Sequence, residues 1–160
     1  MTTYYQLHDS PLGKLLLLSN GEAVTGVHVA AGKYVPEVAP DWICDSRQGV
    51  LLDLRRELDA YFGGRLRSFG VALKPQGTPF QEKVWAALAR IPFGETRTYG
   101  QQAQAIGQPA AVRAVGAANG RNPIGIVLPC HRVIGASGAL TGYAGGLEAK
   151  EFLLKLEAGA

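Results

Sequence analysis

Residues 98–119 read TYGQQAQAIGQPAAVRAVGAAN, and two short helices meeting at a tight turn account for them. Thr98 and Gln101 have capping-box spacing: the threonine hydroxyl accepts from a backbone N–H three residues on, and the glutamine reaches back. They open a helix over 98–106 that stops at Gly107, since a residue without Cβ ends a helix easily. Pro109, with φ already fixed, opens a second helix over 109–119. Joined through Gly107 and Gln108, the pair resembles a helix-turn-helix. The second helix carries Ala110, Ala111, Ala114, Gly116, Ala117 and Ala118, with Arg113 as its one long polar side chain. Such a surface suits close packing, inside a core or along a nucleic-acid backbone, and these residues alone leave both open.

Upstream, Thr78-Pro79-Phe80-Gln81 is another capping box with proline at the first helical position, for a helix to about Arg90 burying Phe80, Val84 and Leu88. A connector over 70–78 precedes it. Before that, Ser46 can cap a helix whose apolar positions Val50, Leu51, Leu54, Leu58, Tyr61 and Phe62 follow helical spacing up to Gly63-Gly64. The first third is β-rich over 3–8, 14–19 and 23–29, with Asn20-Gly21 as a hairpin signal and a polar loop over 31–45. Downstream, a last helix over 147–157 aligns Ala149, Phe152, Leu153 and Leu156 on one face. The fold class is therefore α+β, with a sheet region before about residue 73 and a helical region over 74–160.

Apolar residues make up 47% and charged residues 18% of the 160, enough for a core that buries roughly two thirds of the unfolded surface. The net charge of +3 is unevenly placed: residues 1–74 hold eight basic and eight acidic side chains, residues 75–160 eight and five. Arg90, Arg97, Arg113, Arg121 and Arg132 face only Glu95 over 90–132, a balance that fits phosphate contact or a solvated surface. The run Leu15 to Leu18 is too short to span a bilayer, and no signal-peptide pattern begins the chain. Cys44 and Cys130 lie far apart, without a CxxC spacing, so neither a disulfide framework nor a zinc site is expected. A reducing cytoplasm is the expected setting.

Cys130 stands in Pro129-Cys130-His131-Arg132, after the apolar run Ile124 to Leu128, which reads as a buried strand-like segment. Neighbouring positive charge and a base favour a thiolate, the nucleophilic form of cysteine. In a regular strand, however, residues 130 and 131 would face opposite ways. A reactive thiol and a buried structural cysteine beside a surface histidine both satisfy these residues.

The ordered set Thr98-Tyr99-Gly100, Arg113-Ala114-Val115-Gly116, Asn122-Pro123-Ile124, Pro129-Cys130-His131-Arg132-Val133-Ile134-Gly135, Tyr143-Ala144-Gly145-Gly146 and Lys150-Glu151-Phe152-Leu153-Leu154 resembles the O6-alkylguanine-DNA alkyltransferase family. The resemblance covers nearly all of 78–157; upstream it is carried mainly by Ser10-Pro11-Leu12-Gly13. It implies a ribonuclease-H-like N-terminal domain over 1–73 and, over 74–160, a winged-helix-like DNA-binding and alkyl-acceptor domain.

By that resemblance, Cys130 attacks the alkyl carbon on guanine O6 and keeps the alkyl group, so each molecule acts once. His131 takes the thiol proton through a water, Glu157 orients His131, Asn122 braces the turn and Tyr99 protonates the guanine ring. Tyr99, Pro129, Val133, Tyr143, Ala144 and Gly145 form the substrate pocket, where many members carry serine at the position of Ala144. Arg113 fills the stack left by the flipped base, while Ala110, Ala114, Gly116, Ala117 and Arg121 meet the DNA. The implied partner is double-stranded DNA containing O6-alkylguanine, bound through the minor groove largely without regard to sequence, by a chain monomeric when free. No metal, cofactor or membrane is implied. Alkyl size, O4-alkylthymine repair and cooperative assembly on DNA stay open. The residues also admit a damage-binding protein without chemistry, a helix-turn-helix regulator and a cysteine hydrolase.

Overall fold

In the computed structural model, which describes residues 1–159, sheet leads and helix follows. The elements are β1 (Tyr4–Ser10), β2 (Gly13–Ser19), β3 (Val24–Val29), β4 (Ile43–Cys44), α1 (Gly49–Phe62), α2 (Pro79–Leu88), β5 (Arg97–Thr98), α3 (Tyr99–Ala105), α4 (Val112–Gly120), β6 (Val133–Ile134) and α5 (Leu147–Glu157). A 3-10 turn, Cys130–Arg132, precedes β6.

The first sheet has the order β3-β2-β1-β4, antiparallel except for the parallel β1–β4 pair. Leu15 to Leu18 are all buried on β2, which lies between β3 and β1 in the sheet. Leu15 and Leu17 join the core with Leu51, Leu54, Leu58 and Tyr61 of α1, while Leu16 lies opposite Leu7 and His28 in the register. The Asn20-Gly21 hairpin forms, but as a longer turn: Asn20 Oδ1 accepts from the Glu22 and Ala23 amides, each at 2.9 Å. The short β4, in the segment read as loop, was not expected from its sequence.

Helix starts depart from expectation where a turn competes. Gln48, not Ser46, caps α1, its side chain accepting from Leu51 N at 3.0 Å. Asp45 draws residues 45–47 into a turn by accepting from Arg47 N at 2.9 Å, so the helix begins beyond it. Both threonine capping boxes, Thr78/Gln81 and Thr98/Gln101, form reciprocally. Helix α2 ends at Leu88, and its inner face carries Trp85, whose indole N–H donates to Ala118 O at 2.9 Å. Phe80 is only half-buried. Pro109 does not open α4; it takes the second position of a turn closed by Ala111 N donating to Gln108 O at 2.9 Å. Helix α4 therefore starts at Val112, and Ala110 lies in the turn before it.

The run Ile124 to Leu128 is not a strand. Ile124 bridges Val27 of β3, then the chain folds back, with Leu128 N donating to Ile124 O at 3.0 Å and Ile126 at φ 69°. On α5 the inward positions are Ala149, Lys150, Leu153 and Glu157, whereas Phe152 is 39% exposed and packs near Phe62. One buried cluster runs from β2 and α1 through Val84, Val115 and Ile124 to Val133 and Leu153, so sheet and helical regions share a core.

Candidate active site around Cys130

Asn122 builds the turn that presents Cys130. Its Nδ2 donates to Leu128 O at 2.8 Å and to the Cys130 Sγ at 3.3 Å, while its Oδ1 accepts from Ile124 N at 3.0 Å. The cysteine is buried at the start of the 3-10 turn. Burial pushes its thiol up, against the opposing pull of the Asn122 hydrogen bond and the Lys150 charge. The resting group is therefore a thiol, which corrects the expectation that its neighbours favour a thiolate. Its side-chain partner is Asn122, not His131.

Behind it lies a buried hub on Glu157. His131 Nε2 stands 2.6 Å from Glu157 Oε2, and Arg132 donates from Nε to Oε1 at 2.7 Å and from Nη2 to Oε2 at 3.0 Å. Tyr61 donates its hydroxyl to Oε2 at 2.6 Å, and Gly94 N approaches Oε1 at 3.4 Å. Burial raises the Glu157 carboxyl, but the bonds from His131, Arg132 and Tyr61 hold it down to about 2. An ionised carboxylate only accepts, so Nε2 of His131 carries the proton and Nδ1 presents a lone pair. Nδ1 is buried and has no hydrogen-bond partner in the protein. Burial pushes the His131 pKa down, so the ring rests neutral, while Glu157 pulls the other way. The pair can accept a proton at Nδ1 and stabilise the imidazolium that forms.

A small cavity of about 30 Å³ adjoins the thiol. Asn119, Asn122, Ile126, Tyr143, Ala144 and Gly145 line it, together with Val27 and Val29 of β3. The loop before α5 is fastened at several points. Lys33 N donates to Ala144 O at 2.7 Å, and a Cβ on Gly32 would collide with that carbonyl. Lys150, fully buried, donates from Nζ to Val133 O at 2.6 Å and to Thr141 O at 2.7 Å. Tyr99 donates its hydroxyl to Thr141 O at 3.1 Å.

The structure thus brings Cys130, Asn122, Tyr143, Ala144 and Gly145 to one cavity and joins His131 to Glu157. Pro129, Val133 and Tyr99 are not part of that cavity's lining. Pro129 faces another cleft with Arg67, Phe93 and Arg132, and Val133 is sealed in the core. On α4, Arg113, Ala114 and Ala117 are exposed, while Gly116 lies against the Tyr99 ring. Arg121 follows the helix, exposed, with its guanidinium 4.2 Å from the Tyr34 ring. Sequence reasoning missed Tyr61, Lys150 and Asn119, and read Arg132 only as a charge beside the thiol. Among the described residues no cluster of three or more His, Cys, Asp or Glu could hold a metal, and no helix is long and apolar enough to cross a membrane.

Comparison with known proteins fits this geometry. Residues 3–75 match the family described as 6-O-methylguanine DNA methyltransferase, ribonuclease-like domain. Residues 79–159 match 6-O-methylguanine DNA methyltransferase, DNA binding domain. A methylated-DNA–protein-cysteine methyltransferase of Methanosarcina acetivorans is 54% identical over 154 residues, covering 96% of this chain and 97% of its own. A solved O6-methylguanine methyltransferase of Mycobacterium tuberculosis superposes with a TM-score of 0.90 at 48% identity, over 99% of this chain and 94% of that one. The Mycobacterium tuberculosis protein OGT, solved in complex with DNA, gives a TM-score of 0.90 at 47% identity, over 98% and 93%. With both halves matched and relatives near half identity along almost the whole length, the chain belongs to the 6-O-methylguanine DNA methyltransferase family.

Proposed function

We propose that this protein repairs DNA directly, transferring the alkyl group of O6-alkylguanine irreversibly to Cys130. One observation carries the reading: a neutral, buried His131 with a free Nδ1 lone pair, backed by ionised Glu157, one residue from a thiol beside a cavity.

The thiol proton passes through a water to His131 Nδ1, and Glu157 stabilises the imidazolium. Sγ then attacks the alkyl carbon in line; the S–C bond forms as the C–O6 bond breaks. The electron pair of that bond goes to the guanine, Tyr99 supplies a proton to the ring after leaving Thr141 O, and the tyrosinate is reprotonated from solvent as the His131 imidazolium gives up the thiol's proton. Backbone amides of Tyr143 and Ala144 face O6, with Ala144 offering no hydroxyl. The products are unmodified guanine and a thioether. The thioether has no good leaving group, so Cys130 acts once. Asn122 keeps thiol and turn in register.

Guanine O6 lies inside the duplex, so the base must turn out to meet the thiol, and the cavity of about 30 Å³, room for about one water, must widen to admit it. The small exposed residues of α4 suit the minor groove, and Arg113 suits the vacated stack. Ala110, Gly116 and Arg121 extend this face. The DNA complex of the Mycobacterium tuberculosis relative supports a DNA partner here. In this reading residues 1–73 form a ribonuclease-H-like domain and residues 74–160 the DNA-binding and acceptor domain. The chain acts as a monomer when free, in a cytoplasm that keeps Cys130 reduced.

Incubation with duplex DNA containing O6-methylguanine is expected to add one methylene unit, about 14 Da by formula counting, to the Cys130 peptide, as nucleophilic catalysis by this thiol requires. Unchanged intact mass refutes the transfer, and repeated turnover by unmodified protein points to a hydrolase.

A further inference from the structure

Gln102 of α3 and Asn119 of α4 are both buried, at 2% and 6% exposure, and their amides close on each other. Asn119 Nδ2 donates to Gln102 Oε1 at 2.7 Å, and Gln102 Nε2 donates to Asn119 Oδ1 at 3.0 Å and towards Val84 O at 3.4 Å. Such a reciprocal pair fixes the orientation of both amides, because either one turning would leave buried polar atoms unpaired.

Asn119 also lines the cavity beside Cys130. A primary amide has two N–H groups and two acceptor positions, and the Gln102 pair uses one of each. Asn119 therefore keeps one N–H and one lone pair. Its neighbour Asn122 differs: both of its N–H groups are committed, to Leu128 O and to the thiol. A guanine entering the cavity brings ring nitrogens and an exocyclic amine that need partners once they leave water.

We propose that Asn119 is a guanine-binding residue and Gln102 a positioning residue acting through it. Gln102 holds the Asn119 amide so that its remaining group hydrogen-bonds the ring edge of the alkylated base. The contact is made to a part of the ring that does not react, so it strengthens binding without changing the bond-breaking step. The inference rests on the alkyl-transfer reading.

Saturation kinetics with free O6-benzylguanine test it, since this probe needs the cavity but not the DNA face. Asn119→Ala is expected to raise the half-saturating concentration about tenfold, the order of one buried hydrogen bond. The limiting rate of Cys130 alkylation should stay within about twofold. Gln102→Leu, which leaves Asn119 in place but unheld, should raise half-saturation by a smaller factor and add nothing in the Asn119→Ala background. Unchanged half-saturation in Asn119→Ala overturns the proposal, as does a Gln102→Leu effect that persists in full without Asn119. Should Asn119→Ala not fold, unchanged half-saturation in Gln102→Leu overturns it instead. Failure of the wild-type chain to alkylate at all removes the underlying reading, which is a separate result.

Discussion

Tyr61 of α1 donates its hydroxyl to Glu157 Oε2 at 2.6 Å, across 96 positions of sequence. The helix that covers the N-terminal sheet thus reaches the carboxylate that orients His131. Both partners are buried, and the tyrosine ring is packed among Phe62, Phe69 and Phe93 at centroid distances of 5.4, 5.4 and 6.2 Å. Burial pushes the Tyr61 phenol well above its ordinary range, and the Glu157 charge beside it adds to the shift. The hydroxyl is therefore a permanent donor to this carboxylate.

Tyr61→Phe should keep the ring packing and remove only this donor. A hydrogen bond to a charged group is worth about 1.5–3 kcal/mol. Because His131, Arg132 and Gly94 still face the carboxylate, the lower end is expected. Denaturant unfolding should show a shifted midpoint with an unchanged slope, and alkyl transfer should slow without disappearing. An unaltered midpoint would mean that the carboxylate does not depend on Tyr61.

The hub also sets an acid limit. Glu157 is held down to about 2 in the fold against an ordinary 4.5. A depressed carboxyl stabilises the fold above its unfolded value, and that stability drains away as pH falls from about 4.5 towards 2. His131 acts in the same direction earlier. Burial lowers its folded pKa below 6.5, and does the same to His28, so the unfolded chain binds these protons first and stability falls as pH drops below that value. Unfolding free energy measured from pH 8 to pH 3 should therefore decline in two stages. A profile flat between pH 7 and 5 would show that neither His131 nor His28 is held neutral, and a decline that persists in full in His131→Gln would assign it to His28.

Cys130 and Cys44 should respond oppositely to a simple thiol reagent. Cys44 is exposed, whereas Cys130 is buried and its thiol is pushed up by that burial. Iodoacetamide at neutral pH should label Cys44 first and leave Cys130 largely intact, because the thiolate is the reacting form. The substrate, by contrast, should alkylate Cys130 and spare Cys44. Peptide mapping after each treatment decides, and preferential iodoacetamide labelling of Cys130 would contradict a protonated resting thiol.

What could be read in advance was local. The capping boxes at Thr78 and Thr98 and the turn at Asn20 depend on residues within four positions, and all three form. Pro109 misled because a fixed φ suits both a helix start and the second place of a turn. The apolar run from Ile124 has strand composition, but the fold-back at Ile126 depends on Asn122 gripping Leu128 O. At the site, His131 and Glu157 meet as the motif order suggested. Tyr61 and Lys150 escaped notice since one follows an apolar helical stripe and the other looks like an ordinary surface lysine. Each owes its place to contacts made only after both regions close on a common core.

Arg113 offers the clearest separation of DNA engagement from chemistry. It stands exposed on α4, near the exposed Ala114 and Ala117 and away from the lining of the Cys130 cavity. If its guanidinium replaces the flipped base in the stack, it offsets an unstacking cost of a few kcal/mol on duplex DNA and contributes nothing with a free base. Arg113→Ala should therefore slow transfer from O6-methylguanine in duplex DNA by at least about tenfold, equivalent to 1.4 kcal/mol. Transfer from free O6-benzylguanine should stay within about twofold, since no base pair is opened. Arg113→Lys adds a second discrimination: lysine keeps the charge for phosphate but lacks the planar group that stacks. It should restore the salt dependence of DNA binding while leaving most of the duplex-specific rate loss. Full recovery with lysine would reduce Arg113 to a phosphate contact, and equal losses on both substrates would place it in the chemistry instead.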